Sequence, residues 1–207
     1  MDANIDGENN YSKYNLSNLQ ILGNVSVEAI GSSLGAGSDS TLTGGIERLT
    51  ATYGLYAGVT AIDGVYGYDE QLSRVVLGSD RKTVEVYAAN FTEGAEGNVY
   101  GLYGDKADIS LNGASSTVTV ESSTTGNAYG AAIENATKLT FNSISNDISV
   151  KGASAVGVSA EEDGSVVSFL SESTNITVES EDSVGLSVAG SAEAVFTGEA
   201  QITADQA

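Results

Sequence analysis

Residues 129–186 read YGAAIENATKLTFNSISNDISVKGASAVGVSAEEDGSVVSFLSESTNITVESEDSVGL, and the reading of this stretch decides the fold. An apolar residue, a glycine and a second apolar residue come together three times, at Tyr129-Gly130-Ala131, Val156-Gly157-Val158 and Val184-Gly185-Leu186. Two kinds of apolar–polar–apolar run lie between them. Leu139-Thr140-Phe141 and Val167-Ser168-Phe169 are the first kind; Ile148-Ser149-Val150 and Ile176-Thr177-Val178 are the second. Alternation of period two belongs to a strand with one buried face. Gly, Asn, Ser and Asp bound each run, and these are turn formers.

The pattern extends in both directions. From Gly101, in Tyr100-Gly101-Leu102, to Gly130, Gly157 and Gly185 the intervals are 29, 27 and 28 residues. Ile109-Ser110-Leu111 and Ala194-Val195-Phe196, the latter slightly offset, extend the Phe file; Val118-Thr119-Val120 and Ile202-Thr203-Ala204 extend the third. A repeat of about 28 residues therefore holds three short strands, too few to bury an apolar face alone. Stacked coils bury it, with each strand parallel to its equivalent one coil on and like residues in inward columns. Phe141, Phe169 and Phe196 are expected to stack in the core, and the glycines to sit at tight turns or at positive φ. The expected fold is all-β: a right-handed single-stranded parallel β-helix with three strands per coil, the hand following from the parallel crossover rule. Roughly seven rungs of about 4.8 Å would give a rod of about 34 Å.

Nearer the N-terminus the repeat loosens. Val25-Ser26-Val27 reads as a third strand running on into a glycine strand at Ile30-Gly31. Tyr53-Gly54-Leu55 fits the glycine pattern, but 47 residues separate Gly54 from Gly101. Val75-Val76-Leu77 and Val84-Glu85-Val86 read as the second and third strands of that long coil, with the surplus in an insertion near 57–74 and a smaller one at 90–98. Residues 1–18 are polar and aperiodic and read as a cap or frayed end, and residues 19–207 as the helix segment.

Composition narrows the chemistry. The 207 residues contain no Pro, Cys, His or Trp. Without His or Cys there is no imidazole base, no Ser-His-Asp triad, and no His- or thiolate-held zinc. Proline would remove a ladder donor from any coil it entered, so its absence suits stacked strands. The net charge is −20, from 28 acids and 8 bases. That field repels phosphates and anionic head groups, so neither nucleic acid nor direct membrane contact is expected of this segment. No apolar run reaches the length of a membrane-spanning helix, and the first residues lack the regions of a signal peptide. The chain then reads as either cytosolic or a piece of a longer secreted protein, and the repeats favour the second.

Cys-free, Gly/Ser/Thr/Asn-rich coils with apolar-Gly-apolar and Ile-Thr-Val runs resemble the passenger domains of bacterial autotransporters, over roughly residues 19–207. The resemblance is one of style and period, without a diagnostic motif. It implies a pectin-lyase-like right-handed β-helix displayed at the bacterial surface or secreted. It also implies adhesion to a host or bacterial surface protein or glycan, or self-association between rods. Val25–Gly44 resembles the head repeats of trimeric autotransporter adhesins more weakly, and that pattern does not propagate.

The expected function is therefore a non-enzymatic adhesin or structural segment, with no cofactor and no metal. Its binding residues are expected in and beside the insertion, at Tyr56, Asp63, Tyr66, Tyr68, Asp69 and Glu70. Aromatic rings beside acids suit non-covalent sugar or protein binding. The alternative is a polysaccharide-binding or polysaccharide-degrading helix using carboxylates near Asp63, Asp69 and Glu70, since glycosidases work with carboxylate pairs. Glu161-Glu162-Asp163 and Glu181-Asp182 fall at turns of neighbouring coils and are weighed as a calcium site, since that ion takes oxygen ligands.

Overall fold

The computed structural model describes residues 18–31, 51–58, 72–92 and 97–205, and contains no helix there. The strands are β1 (Asn18–Ile21), β2 (Val25–Gly31), β3 (Thr52–Gly58), β4 (Ser73–Leu77), β5 (Thr83–Asn90), β6 (Val99–Asp105), β7 (Ala107–Ser122) and β8 (Asn127–Glu134). They continue with β9 (Lys138–Lys151), β10 (Ser154–Ala160), β11 (Val166–Phe169), β12 (Ser173–Glu179), β13 (Asp182–Val188), β14 (Glu193–Phe196) and β15 (Glu199–Asp205). Each strand pairs in parallel with its equivalent one coil away, so the chain is a parallel β-solenoid with coils of about 30 residues.

One face of the solenoid is a five-stranded sheet of the glycine strands, in the order β13-β10-β8-β6-β3. The other two faces share a ten-stranded sheet. In it β1-β4-β7-β9-β11-β14 form the Phe file, while β2-β5-β7-β9-β12-β15, through the later halves of β7 and β9, form the third file. β7 and β9 are long because they pass round the corner between these files unbroken; β11 and β12 divide there.

The registers follow the sequence repeat. Tyr100, Tyr129, Val156 and Val184 are successive partners, as are Leu111, Phe141, Phe169 and Phe196. Phe196 is level with Phe169, so the offset in the last repeat lies in a turn and not in the strand. The Phe141 and Phe169 rings stack at 4.8 Å and those of Phe169 and Phe196 at 4.5 Å. Phe141 and Phe169 are fully buried, and Phe196 in the last coil is partly buried. Beside this apolar column runs a buried polar one: Ser116 hydrogen-bonds Asn146, whose amide faces Thr174 at 3.5 Å.

Three expectations are corrected. The described residues stack six rungs in the Phe file against roughly seven expected, because the repeat is not uniform: Leu19 pairs with Val75, 56 residues on, and residues 1–17 are outside the described set. Ile30 and Gly31 pair with Ala89 and Asn90, so they end a third-file strand and do not begin a glycine strand. The repeated glycines are not turn residues. None of Gly54, Gly101, Gly130, Gly157 and Gly185 has positive φ. They let the glycine sheet approach the third file across the core. A Cβ at Gly130 would lie 2.5 Å from the Gly157 carbonyl oxygen and 2.5 Å from Ile148 Cγ2. Left-handed backbone falls mainly at corners, at Lys106, Asn135, Ala136 and Glu162 among others.

Corners absorb length changes while registers hold. One residue separates β6 from β7 and three separate β8 from β9, but fourteen separate Gly58 from Ser73. Most of the expected insertion, 59–71, lies outside the described residues.

Candidate surface site on the glycine sheet

The outer face of the glycine sheet carries five tyrosines, and the repeat dictates their placement. One residue before the aligned glycine stand Tyr53, Tyr100 and Tyr129; two residues after it stand Tyr56 and Tyr103. Parallel in-register pairing turns each position into a column. Tyr53 and Tyr100 stack at 5.1 Å, Tyr100 and Tyr129 at 5.0 Å, both within 6° of parallel. Tyr56 and Tyr103 stack at 5.4 Å, and edge-to-face contacts of 5.1–5.5 Å join the columns. Aromatic pairs in these geometries add about 0.5–1.5 kcal/mol each beyond the area they bury.

The columns are of unequal length. After Tyr129 the first continues as Val156 and Val184. After Tyr103 the second drops at once to Ala132, then Ser159. A notch of about 130 Å³ opens there, lined by Tyr100, Tyr103, Tyr129, Ala132, Glu134, Ser159 and neighbouring groups.

Each edge of the ladder has its own chemistry. On one side Asn98 donates to the Tyr100 hydroxyl at 2.9 Å and Asn127 to that of Tyr129 at 3.0 Å. On the other side, four residues after the glycine, Asp105, Glu134 and Glu161 occupy consecutive rungs. Rungs lie about 4.8 Å apart, and like charges facing each other across such a step repel. Local donors offset part of that cost: Tyr103 Oη to Glu134, Asn135 Nδ2 to Asp105 at 3.0 Å, and Ser159 Oγ to Glu161 at 3.1 Å. Burial, the hydrogen bond to Glu134 and the charge of that carboxylate hold the Tyr103 phenol well above its ordinary value near 10.

Of the residues singled out from sequence, Tyr56 is described: it is 38% exposed at the N-terminal end of the short column. Asp63, Tyr66, Tyr68, Asp69 and Glu70 lie outside the described residues; the chain enters that stretch two residues after Tyr56, at Gly58. The proposed closeness of Glu161–Asp163 to Glu181-Asp182 is not found. The first group follows the end of β10 and the second begins β13, so they lie at opposite ends of the glycine strands. Among the described residues no group of three or more acidic side chains is arranged to hold a metal ion.

The Asp105–Glu134–Glu161 column went unread in sequence although its signal was present. Each member stands four residues after an aligned glycine, in Gly-Leu-Tyr-Gly-Asp, Gly-Ala-Ala-Ile-Glu and Gly-Val-Ser-Ala-Glu. Chemically, this strip offers aromatic edges, amides and carboxylates for non-covalent contact. Against known proteins, no family model, no curated protein and no solved structure matches the chain.

Proposed function

We propose that this chain is a β-helical adhesin or structural segment, displayed at a bacterial surface or secreted, which mediates cell adhesion or cell–cell association through the tyrosine strip of its glycine sheet. The observation that carries this reading is the pair of tyrosine columns on the outer face of the solenoid. Solenoid surfaces of this kind present extended rows of side chains at a fixed pitch, which suits recognition of a partner along a line. Tyrosine is an effective contact residue, combining a large rigid ring with a polar tip at low entropic cost. The partner is a surface protein or a glycan, or another rod, and the acidity of the segment argues against nucleic acid and anionic lipid.

The test is capture of the purified chain on a panel of immobilised glycans, surface proteins and whole cells, beside the double variant Tyr56→Ala/Tyr103→Ala. Specific capture that the double variant loses supports the reading. Capture indifferent to both substitutions, or no capture at all, removes it.

A second reading has one observation in its favour. Asp105, Glu134 and Glu161 lie on adjacent coils, and cleavage of a glycosidic bond by carboxylates needs two such groups on one surface. Release of reducing ends from a polysaccharide panel, abolished by Glu134→Gln, would establish it over simple adhesion; intact polysaccharide throughout would dismiss it.

A further inference from the structure

The notch at the end of the short tyrosine column has a specific shape. Tyr56 covers one face of the Tyr103 ring. On the other face the next rung supplies only the methyl group of Ala132, and among the described residues no second ring stacks there. The space that a sixth tyrosine would fill is left open between Tyr103, Tyr129 and the carboxylates of Glu134 and Glu161. Those carboxylates stand on neighbouring rungs despite their mutual repulsion, in a chain of net charge −20. A flat group that stacks on a ring and carries positive charge answers all three features. Guanidinium meets this description: it is planar, always charged, stacks on aromatic faces and pairs with carboxylates through two parallel N–H donors. An ammonium supplies the charge without the plane, and a neutral sugar lacks the charge.

We infer that the notch is a docking site for an arginine side chain of a partner polypeptide, seated on Tyr103 and paired with Glu134 and Glu161. The inference rests on the reading of the tyrosine strip as a binding surface and adds the class of partner, a protein segment presenting exposed arginine. The long-range field of the acidic rod would steer such a segment toward it. The other depression described, of about 250 Å³ beside Tyr87 with Glu28 and Glu85, holds one aromatic ring only and does not combine these features.

The test is an NMR titration of the full chain, near physiological salt, with acetyl-Gly-Arg-Gly-amide and its lysine and citrulline counterparts. The arginine peptide is expected to shift the Tyr103 and Ala132 signals. The lysine peptide should bind about fivefold more weakly, because its ammonium neither lies flat on the ring nor pairs with a carboxylate through two parallel donors. The citrulline peptide, of similar shape but uncharged, should leave the signals in place. Ala132→Tyr extends the column into the notch and should abolish the response while leaving the thermal midpoint unchanged or higher. Should that variant misfold, Glu134→Gln/Glu161→Gln is the second arm, expected to weaken binding roughly tenfold through loss of charge-assisted pairs. Equal affinity for arginine and lysine, an undiminished response in either variant, or no response in the wild-type chain would overturn the inference. A chain that adheres in the panel while its notch stays silent refutes the arginine site and leaves the adhesion reading standing; a responsive notch in a chain that adheres to nothing does the converse.

Discussion

The early and late coils carry aromatic ladders on different walls, one facing out from the glycine sheet and the other facing in from the Phe file. In the early coils Tyr53, Tyr100 and Tyr129 stack outside, and the inward column at the Phe position is aliphatic, Ile21, Leu77 and Leu111. In the late coils Phe141, Phe169 and Phe196 stack inside, while the outward column has become Val156 and Val184. The same parallel register builds both, since it superposes whatever residue the repeat supplies. What differs is the solvent. Inside, ring stacking adds to full removal of apolar area from water; outside, the rings are only partly buried and keep part of their surface in solvent. The inner ladder is therefore a stability element, and the outer one divides its contribution between stability and recognition.

That division can be broken most severely at Phe169, which is fully buried between two rings. Phe169→Ala should destabilise the chain by about 3–5 kcal/mol, the range for large-to-small aromatic core changes; denaturant unfolding of the full chain measures it. A loss below 1 kcal/mol would mean that the inner ladder is not the stronger of the two. Next is Gly130→Ala, whose Cβ would meet the Gly157 carbonyl and Ile148 at 2.5 Å. The carbonyl is backbone and cannot swing aside, so a cost of about 2–3 kcal/mol is expected, at the upper end for overpacking. An unchanged midpoint would show that close approach of the two sheets is not what the glycines secure.

On the outer ladder, Tyr100→Ala removes two stacks and should cost about 1 kcal/mol for each. A loss as large as that of Phe169→Ala would erase the distinction between inner and outer. The phenol of Tyr103 sharpens it further. Its folded-state value is raised, so above pH 10 the unfolded chain releases a proton that the folded chain retains, and stability falls as pH climbs. Alkaline unfolding should begin above about pH 10 and be blunted in Tyr103→Phe, as followed by circular dichroism; identical profiles would contradict this. The smallest effect is expected at Lys151, whose 3.7 Å pair with Glu179 is exposed on both sides. Lys151→Ala should change stability by less than about 0.5 kcal/mol.

Much of the fold was legible because a solenoid writes its contacts as a sequence interval. Gly101, Gly130, Gly157 and Gly185 gave the coil length, and Phe141 and Phe169 named the core column, without any tertiary information. Even the long interval from Gly54 to Gly101 proved to be in register, with Tyr53 opposite Tyr100. The reason for the glycines was misjudged, because a repeated glycine looks the same whether it serves a turn or a close approach between sheets. The site was half legible. Tyr56 stood out along the chain, but the two columns follow only from the pairing of Tyr53 with Tyr100, Tyr100 with Tyr129 and Tyr56 with Tyr103. The carboxylate column was hidden because its members are 27 or 29 residues apart, and because Glu161 reads along the chain as part of the acidic run Glu161-Glu162-Asp163.

Register that survives unequal corners makes each coil an interchangeable cassette. Phe141 and Phe169 are partners 28 residues apart. Excising 142–169 would join Phe141 to Leu170 and remove one strand from each file, leaving β7 beside β12 and β8 beside β13. Energetics in such arrays are close to nearest-neighbour sums, so the shortened rod should fold with its tyrosine columns undisturbed. A gene encoding this chain can thus change reach by whole-coil duplication or loss, and change specificity by rewriting single corners, with neither kind of edit constraining the other.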